Sequence, residues 1–462
     1  MKLIKNTIFY ILGNILVQGV NFLTLPIYSR LMTIEEIGKV SLYSTWVSII
    51  SIFICGRTFG SIGIMKNQLK NQEYKDYMSS IVLLSIFSFI FFLIPAYFIN
   101  NKVIKFMNVS KIEYYFIIFQ SLLTNIIMFI TTLYIFEEEA LKKIKISFFY
   151  VGLNIIFSLI ALIFFKDKVF ARIIGMFSSN LLVGIYSLVV IIKKFGLKFN
   201  KNYMKSCLLL TIPIIFHAVS NTILTNSDKI MLDKYSTVEE VGLYSFVYIV
   251  GMILNVLWAS CNSAWSPWFY RKLKEKKIKE IEKVSLIYLE MFGMITGIFL
   301  LISPFIVRLV LPPTYEKGIE LLPYIIGGYY FVFLYGFSIN YEFYLKKTKF
   351  VASGTLLAAL FNMIFNYIYI PNLGALGAAL STFLSYILLF IFHEVILRVF
   401  LNKKIINFSK FLKEIIIVLF LILGLVLDIP YFTQIKIFYV TFILFKIFKL
   451  KGEYNDFKQN IT

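Results

Sequence analysis

Residues 78–99 read MSSIVLLSIFSFIFFLIPAYFI, an apolar run that contains no charged side chain. A helix that crosses the hydrocarbon core of a membrane needs about 20 consecutive apolar residues. This stretch therefore predicts a transmembrane helix, and the same pattern recurs along the whole chain.

The same criterion predicts fourteen apolar stretches, of which the last two are weaker than the others. They cover approximately residues 7–27, 40–60, 78–99, 114–136, 146–165, 170–192, 206–227, 242–263, 285–306, 321–344, 351–370, 374–397, 412–428 and 431–448. The prediction is an all-α polytopic membrane protein with fourteen transmembrane helices. A count of twelve stays open, because the last two stretches could form a re-entrant hairpin.

The overall composition agrees with many membrane spans. Of the 462 residues, 59% are hydrophobic and only 15% are charged, whereas soluble domains have roughly 45–50% apolar and about 25% charged residues. The connections are too short to hold a folded soluble domain. This excludes a cytosolic enzyme, a receptor with a large ectodomain and a pump with its own nucleotide-binding domain.

The excess of positive charge indicates an orientation in the membrane. The formal net charge is +21, and basic residues concentrate in alternating loops such as 193–205 and 271–283. Lysine and arginine favour the cytoplasmic side, which predicts that both termini are cytoplasmic. The basic loops account for the charge without nucleic acid. Three cysteines and two histidines, scattered along the chain, suggest neither a metal site nor a cofactor.

A short motif occurs twice at an offset that matches the predicted spans. Thr33–Gly38 reads TIEEIG and Thr237–Gly242 reads TVEEVG. Each copy follows the first span of a six-span block, which predicts two parallel lobes around a central cavity. The predicted division is residues 1–200, 201–400, and an extra helix pair with a cytoplasmic tail over 401–462. Two unrelated helix starts with capping boxes would be the alternative.

Two further segments carry a resemblance to a known family. The first span ends Leu25-Pro26-Ile27-Tyr28-Ser29-Arg30-Leu31, with Gly38 seven residues on. The seventh ends Ser227-Asp228-Lys229-Ile230-Met231-Leu232, followed by Val241-Gly242-Leu243-Tyr244. These segments resemble the "P-x-x-S-R-L … G" and "D-K/R-x-x-L … V-G-x-Y" signatures of the Wzx-type polysaccharide-export flippases, a branch of the multidrug/oligosaccharidyl-lipid/polysaccharide flippase superfamily.

The resemblance implies a function and partners. It implies a two-lobed flippase that moves an undecaprenyl-diphosphate-linked oligosaccharide outward by alternating access, for O-antigen, capsule or another surface polysaccharide. Membrane lipids, polysaccharide polymerase and glycosyltransferases are the further partners it suggests. A cation-coupled multidrug exporter and a lipid II flippase remain alternatives within the same superfamily.

Polar residues within the first and seventh spans are candidates to contact a glycan. Asn14, Gln18 and Asn21 share one helix face, and the seventh span places His217, Asn221, Thr225 and Asp228 at nearly the same spacing. Amides both donate and accept hydrogen bonds with hydroxyl groups, so these stripes could line a sugar path. Hydrogen bonding between packed helices is the alternative.

Five charged positions complete the candidate site. Arg57 is the only charge between Val40 and Met65, and its guanidinium could bind diphosphate oxygens or reach the inner headgroups instead. The resemblance adds Arg30, Asp228 and Lys229 as substrate-handling residues. Glu290 interrupts the ninth span and is the ion-coupling candidate, although it could also pair with a lysine of the preceding loop.

Overall fold

The computed structural model describes residue 13, residues 19 and 20, and residues 22–427; within this part, the side chains at positions 67, 217 and 264 are not described. The α-helices are α1 Ile34–Ile54, α2 Ile62–Gln68, α3 Asn71–Phe98, α4 Asn100–Met107, α5 Lys111–Phe136, α6 Ala140–Phe164, α7 Lys168–Phe195, α8 Lys201–Tyr235, α9 Val238–Gly251, α10 Ile253–Lys274, α11 Ile278–Val310, α12 Leu322–Tyr344, α13 Thr348–Val395 and α14 Phe408–Val426. A helical segment over 22–31 precedes them. Shorter elements are two 3₁₀ segments, Thr58–Ser61 and Pro313–Leu321, and a π-helical turn, Ile396–Phe400.

The all-helical multi-pass prediction is confirmed. Within the described residues, 10 helical stretches are long and apolar enough to cross a membrane. The longest, Thr348–Phe400, breaks at Gly374, where φ is 53° and ψ is −131°. It therefore holds two predicted spans, and together these stretches cover the predicted spans from 40–60 to 374–397. The predicted span 431–448 lies outside the described residues, so the total of fourteen stays a prediction.

The chain divides into two compact units, Met1–Ser245 and Phe246–Thr462, called unit 1 and unit 2 below. In unit 1, α1 packs against α5, α7 and α8, and α7 also packs against α5 and α6. In unit 2, α12 is the central helix, with most of its side chains buried, and it packs against α10, α11, α13 and α14. The predicted division at residues 200 and 400 stays a prediction.

The two copies of the repeated motif contact each other within unit 1. Thr33 accepts a hydrogen bond from the Glu36 amide at 3.2 Å, and Thr237 accepts the equivalent bond from Glu240 at 3.2 Å. A Cβ atom on Gly38 would lie 2.0 Å from the carbonyl oxygen of Val238, and one on Gly242 would lie 2.0 Å from that of Ile34. Equivalent residues thus meet reciprocally, as copies related by a two-fold axis would, which favours duplication over two independent helix starts.

Candidate functional site

Arg57 lies in a strained turn where α1 ends. Gly56 and Arg57 both adopt left-handed backbone conformations, with φ of 53° and 47°, and this conformation costs a residue with a Cβ about 1–2 kcal/mol. The guanidinium lies 5.2 Å from the centre of the Phe59 ring. Its Nε atom is buried and has no hydrogen-bond partner among the described residues. An arginine stays protonated in proteins, so this guanidinium carries a positive charge.

A second guanidinium in unit 1, half-buried like that of Arg57, was missed by the sequence analysis. Arg172, near the start of α7, donates through Nη1 to Asn154 Oδ1 at 2.9 Å and to the hydroxyl of Ser158, both on α6. The guanidinium stacks 4.4 Å from the centre of the Tyr28 ring. The hydroxyl of Tyr28 is itself buried without a partner in the described part of the chain.

The partners of Arg172 are all uncharged. In the described part of unit 1, the carboxylates in ion pairs belong to exposed lysines: Lys39–Glu35, Lys142–Glu139, Lys194–Glu137 and Lys198–Asp76. Neither Arg57 nor Arg172 is among them. An unpaired charge inside a membrane is costly, and neither guanidinium has a carboxylate partner in the described part of unit 1. The sequence did contain one clue to the role of Arg172. Asn154 and Ser158 are polar residues one helical turn apart within the predicted span 146–165, and they could have been expected to bind a polar or charged partner.

The two parts of the seventh-span signature meet in space. Asp228 on α8 is 1% exposed and accepts a hydrogen bond from the Tyr244 hydroxyl at 2.6 Å. Tyr244 is the tyrosine of the Val-Gly-Leu-Tyr segment on α9, so this contact links α8 to the second copy of the repeat. Lys229, beside Asp228, is half-buried. Arg30 is exposed, and its Nη1 atom donates to the carbonyl oxygen of Pro26 at 2.8 Å.

The predicted polar stripes are only partly described. Asn221 lies on α8 and is exposed, and position 217 is helical, but the side chain of His217 is not described. Asn14, Gln18 and Asn21 lie outside the described residues. The role of the stripes in contacting a glycan therefore stays a prediction.

Unit 2 contains buried carboxylates that the sequence analysis did not select. Glu290 is half-buried on α11, and its role in ion coupling stays a prediction. Glu342, Glu394 and Glu414 are more deeply buried, with exposed fractions of 0%, 4% and 4%. Glu342 and Glu394 have close ionisable partners, His393 and Arg398, which are considered below. The described residues hold no group of three or more His, Cys, Asp or Glu side chains suited to a metal ion.

This arrangement defines a class of protein, a multi-pass helical membrane protein with the fold of known transporters. The chain aligns with the lipid II flippase MurJ in an inward closed conformation, with a TM-score of 0.65, 17% identity and coverage of 94% of this chain and 99% of that one. An inward-facing multidrug resistance transporter of the MATE family gives a TM-score of 0.67 at 12% identity, covering 82% of this chain and 94% of the other. These likenesses show the fold.

The family follows from the sequence comparisons. The model of the polysaccharide biosynthesis protein family matches residues 3–273, and the chain belongs to that family. A relative is the capsular polysaccharide biosynthesis protein CapF of Staphylococcus aureus, 25% identical over 426 residues, which cover 83% of this chain and 96% of the relative. The predicted resemblance to polysaccharide flippases is thereby confirmed.

Proposed function

We propose that this protein is a flippase for a lipid-linked oligosaccharide. It moves an undecaprenyl-diphosphate-linked repeat unit from the inner to the outer leaflet of a bacterial cytoplasmic membrane by alternating access, and both of its termini are cytoplasmic. Its cargo serves the synthesis of a surface polysaccharide such as a capsule or O-antigen. Family membership supports the polysaccharide pathway, and the two guanidiniums of unit 1 without carboxylate partners carry the assignment of an anionic cargo.

The chemistry of the cargo matches these residues. The isoprenoid tail can remain in the lipid, whereas the diphosphate loses its hydration and needs compensating donors. Arginine binds phosphate oxygens with two parallel N–H groups. Arg57, with a buried Nε atom that has no partner among the described residues, offers an unused donor to such an oxygen.

Export of an anion is also favourable electrically. Moving one elementary charge through 100 mV is worth about 2.3 kcal/mol, and the interior of a bacterial cell is negative. A diphosphate that moves outward therefore travels down the membrane potential. This driving force can support transport without ATP hydrolysis.

Deletion of the gene in its own host tests the proposal. We expect loss of the surface polysaccharide and accumulation of undecaprenyl-diphosphate oligosaccharide that reagents outside the cell cannot reach. A plasmid copy of the wild-type gene should restore export, whereas Arg57→Gln at equal protein level should not. Arg308→Gln is the matched control, because Arg308 is an exposed arginine on α11.

Other outcomes would contradict the proposal. Normal surface polysaccharide with unchanged lipid-linked intermediates in the deletion strain would argue against a polysaccharide flippase. Accumulated lipid II would favour a peptidoglycan precursor as cargo, and increased sensitivity to drugs alone would favour a multidrug exporter.

A further inference from the structure

Two fully buried ionisable side chains meet at one end of the α12–α13 pair in unit 2. His393 Nδ1 lies 2.8 Å from Glu342 Oε1, and both side chains have an exposed fraction of 0%. The His393 ring stacks on Tyr335 with a centroid distance of 5.7 Å. Glu342 lies on α12 and His393 near the end of α13, so this hydrogen bond joins two separate helices.

A second carboxylate follows His393 directly, and it has its own positive partner. Glu394 accepts a hydrogen bond from Arg398 Nε at 2.5 Å and another from the hydroxyl of Ser338. Arg398 also donates through Nη2 to the carbonyl oxygen of Ile406 at 2.6 Å. The charge of Glu394 is therefore balanced by Arg398, whereas Glu342 has only the imidazole of His393.

Other ionisable groups nearby do not balance Glu342. Such groups lie on the helices that pack against α12 and on the turn before α13: Arg271, Lys272 and Lys274 on α10, Glu290 on α11, Glu414 on α14, and Lys347 and Lys349. None of their side chains is within ion-pair or hydrogen-bond distance of Glu342 or His393 in the described part of the chain. The cluster of Glu342, His393, Glu394 and Arg398 can therefore be considered by itself.

The formal charge of this cluster depends on one proton. With both carboxylates ionised and the imidazole neutral, the cluster carries one net negative charge in a buried place. Because an uncompensated buried charge is strongly unfavourable, one bound proton, shared between the imidazole and the Glu342 carboxylate, makes the cluster neutral. Such a proton belongs to the pair rather than to either residue.

The remaining polar atoms of the pair are closed in by protein. Glu342 Oε2 and His393 Nε2 are buried and have no hydrogen-bond partner among the described residues. A Cβ atom on Gly354 would lie 2.7 Å from His393 Nε2, so the first part of α13 covers this nitrogen closely. The proton can therefore leave only when the packing of α12 and the two parts of α13 around the pair opens enough to admit water.

We propose that the Glu342–His393 pair is a binding site for one exchangeable proton, whose release requires a change in the packing of α12 against α13. A protein that opens this contact during its cycle takes up and releases one proton there. The site does not depend on the identity of the transported cargo. It also offers a more deeply buried ion-binding position than Glu290.

Histidine nuclear magnetic resonance tests the site directly. The chain has only 2 histidines, so His217→Gln leaves His393 as the single imidazole in protein labelled with ¹⁵N-histidine and held in lipid nanodiscs. At pH 7 we expect either an imidazolium ring or, by infrared difference spectroscopy, a protonated carboxyl band that Glu342→Gln removes. A neutral ring together with an ionised Glu342 would overturn the proposal.

A matched pair of variants separates this site from other buried carboxylates. Glu342→Gln should convert an imidazolium at His393 to a neutral ring at pH 7, because glutamine keeps the shape and removes the counter-charge. Glu414→Gln removes another buried carboxylate of unit 2 and should leave the His393 signals unchanged. If the two variants had equal effects on both the His393 ring signals and the protonated carboxyl band, the assignment would be overturned.

Thermal stability gives a second measurement that does not require transport. In the wild type, loss of the proton at high pH leaves a buried negative charge, so stability should fall as the pH rises. The double variant Glu342→Gln with His393→Gln keeps an uncharged hydrogen-bonding pair and should lose this dependence. Identical pH profiles for the two proteins would overturn the proposal, and neither result depends on the flippase assignment.

Discussion

The two units differ in the partners of the charged side chains that they enclose. In unit 1, the guanidiniums of Arg57 and Arg172 have neutral neighbours, whereas in unit 2 the carboxylate of Glu394 has Arg398 at 2.5 Å. A charge that already has a partner within the fold supports the packing of helices. A charge without one is available to a ligand, so the difference points to unit 1 for an anionic cargo and to unit 2 for structural pairing and a proton.

The largest effect on stability should come from separating the pair in unit 2. Arg398→Gln leaves Glu394, which is 4% exposed, without a counter-charge, and breaking a buried pair in this way costs about 3 kcal/mol. Equilibrium unfolding in lipid bicelles would measure this loss. The double variant Arg398→Gln with Glu394→Gln should recover most of it, and equal losses in the single and double variants would contradict charge pairing.

The two copies of the repeated motif pack against each other through Gly38 and Gly242. Gly38→Ala and Gly242→Ala should each destabilise the protein by about 2 kcal/mol, because forcing an added methyl group into tight packing costs 1–3 kcal/mol. Gly152→Ala in α6 is the control, since no atom lies within 4 Å of the added Cβ, and it should be neutral or slightly stabilising. Unfolding measurements that rank all three variants alike would argue against the reciprocal contact.

The sequence predicts the helices well, because their length and apolar character are set by the membrane itself. Even the break at Gly374 coincides with the first residue of the predicted span 374–397, next to the predicted connection 371–373. The repeat was also visible, as six adjacent residues with only Ile/Val exchanges. The sequence did not reveal that its two copies contact each other, because this depends on how distant helices pack.

The roles of the charged residues were harder to predict, because they depend on partners that are distant in the sequence. Glu342 and His393 are 51 positions apart, and each lies near the end of a span, where a charge looks exposed. Glu290 attracted attention because it interrupts a hydrophobic stretch. Arg172 lies at the start of the predicted span 170–192, close to the charges of Asp167 and Lys168, so it did not stand out in the sequence. Only Arg57 was both isolated in the sequence and unpaired in the structure.

Substitution of Arg57 should change the stability of the protein and its export activity in opposite directions. Replacing it with glycine removes the strain of a left-handed residue with a Cβ, so Arg57→Gly should be more stable by up to about 1 kcal/mol while polysaccharide export is lost. Gly56→Ala introduces the same strain at a φ of 53° and should lower stability by a similar amount. Parallel loss of stability and export in Arg57→Gly would contradict a role in binding an anion.

The smallest change in stability should follow removal of the Arg172 charge, and this prediction tests the comparison between the units most directly. Arg172→Gln loses the hydrogen bonds to Asn154 and Ser158, but it also removes a half-buried charge without a carboxylate partner, whose cost is at most about 2.5–3.5 kcal/mol, the insertion-scale value for a helix centre. The two effects oppose each other, so the free energy of unfolding should stay within about 1 kcal/mol of the wild type.

Export should nevertheless fall at least about tenfold in Arg172→Gln, a loss of 1.4 kcal/mol or more in cargo stabilisation, and less in Arg172→Lys, which keeps the charge but not the planar fork. Lipid-linked intermediates, measured at equal protein level, would show both effects. If Arg172→Gln instead costs as much stability as Arg398→Gln, then Arg172 is a structural charge like those of unit 2, and the distinction between available and satisfied charges would not hold for it.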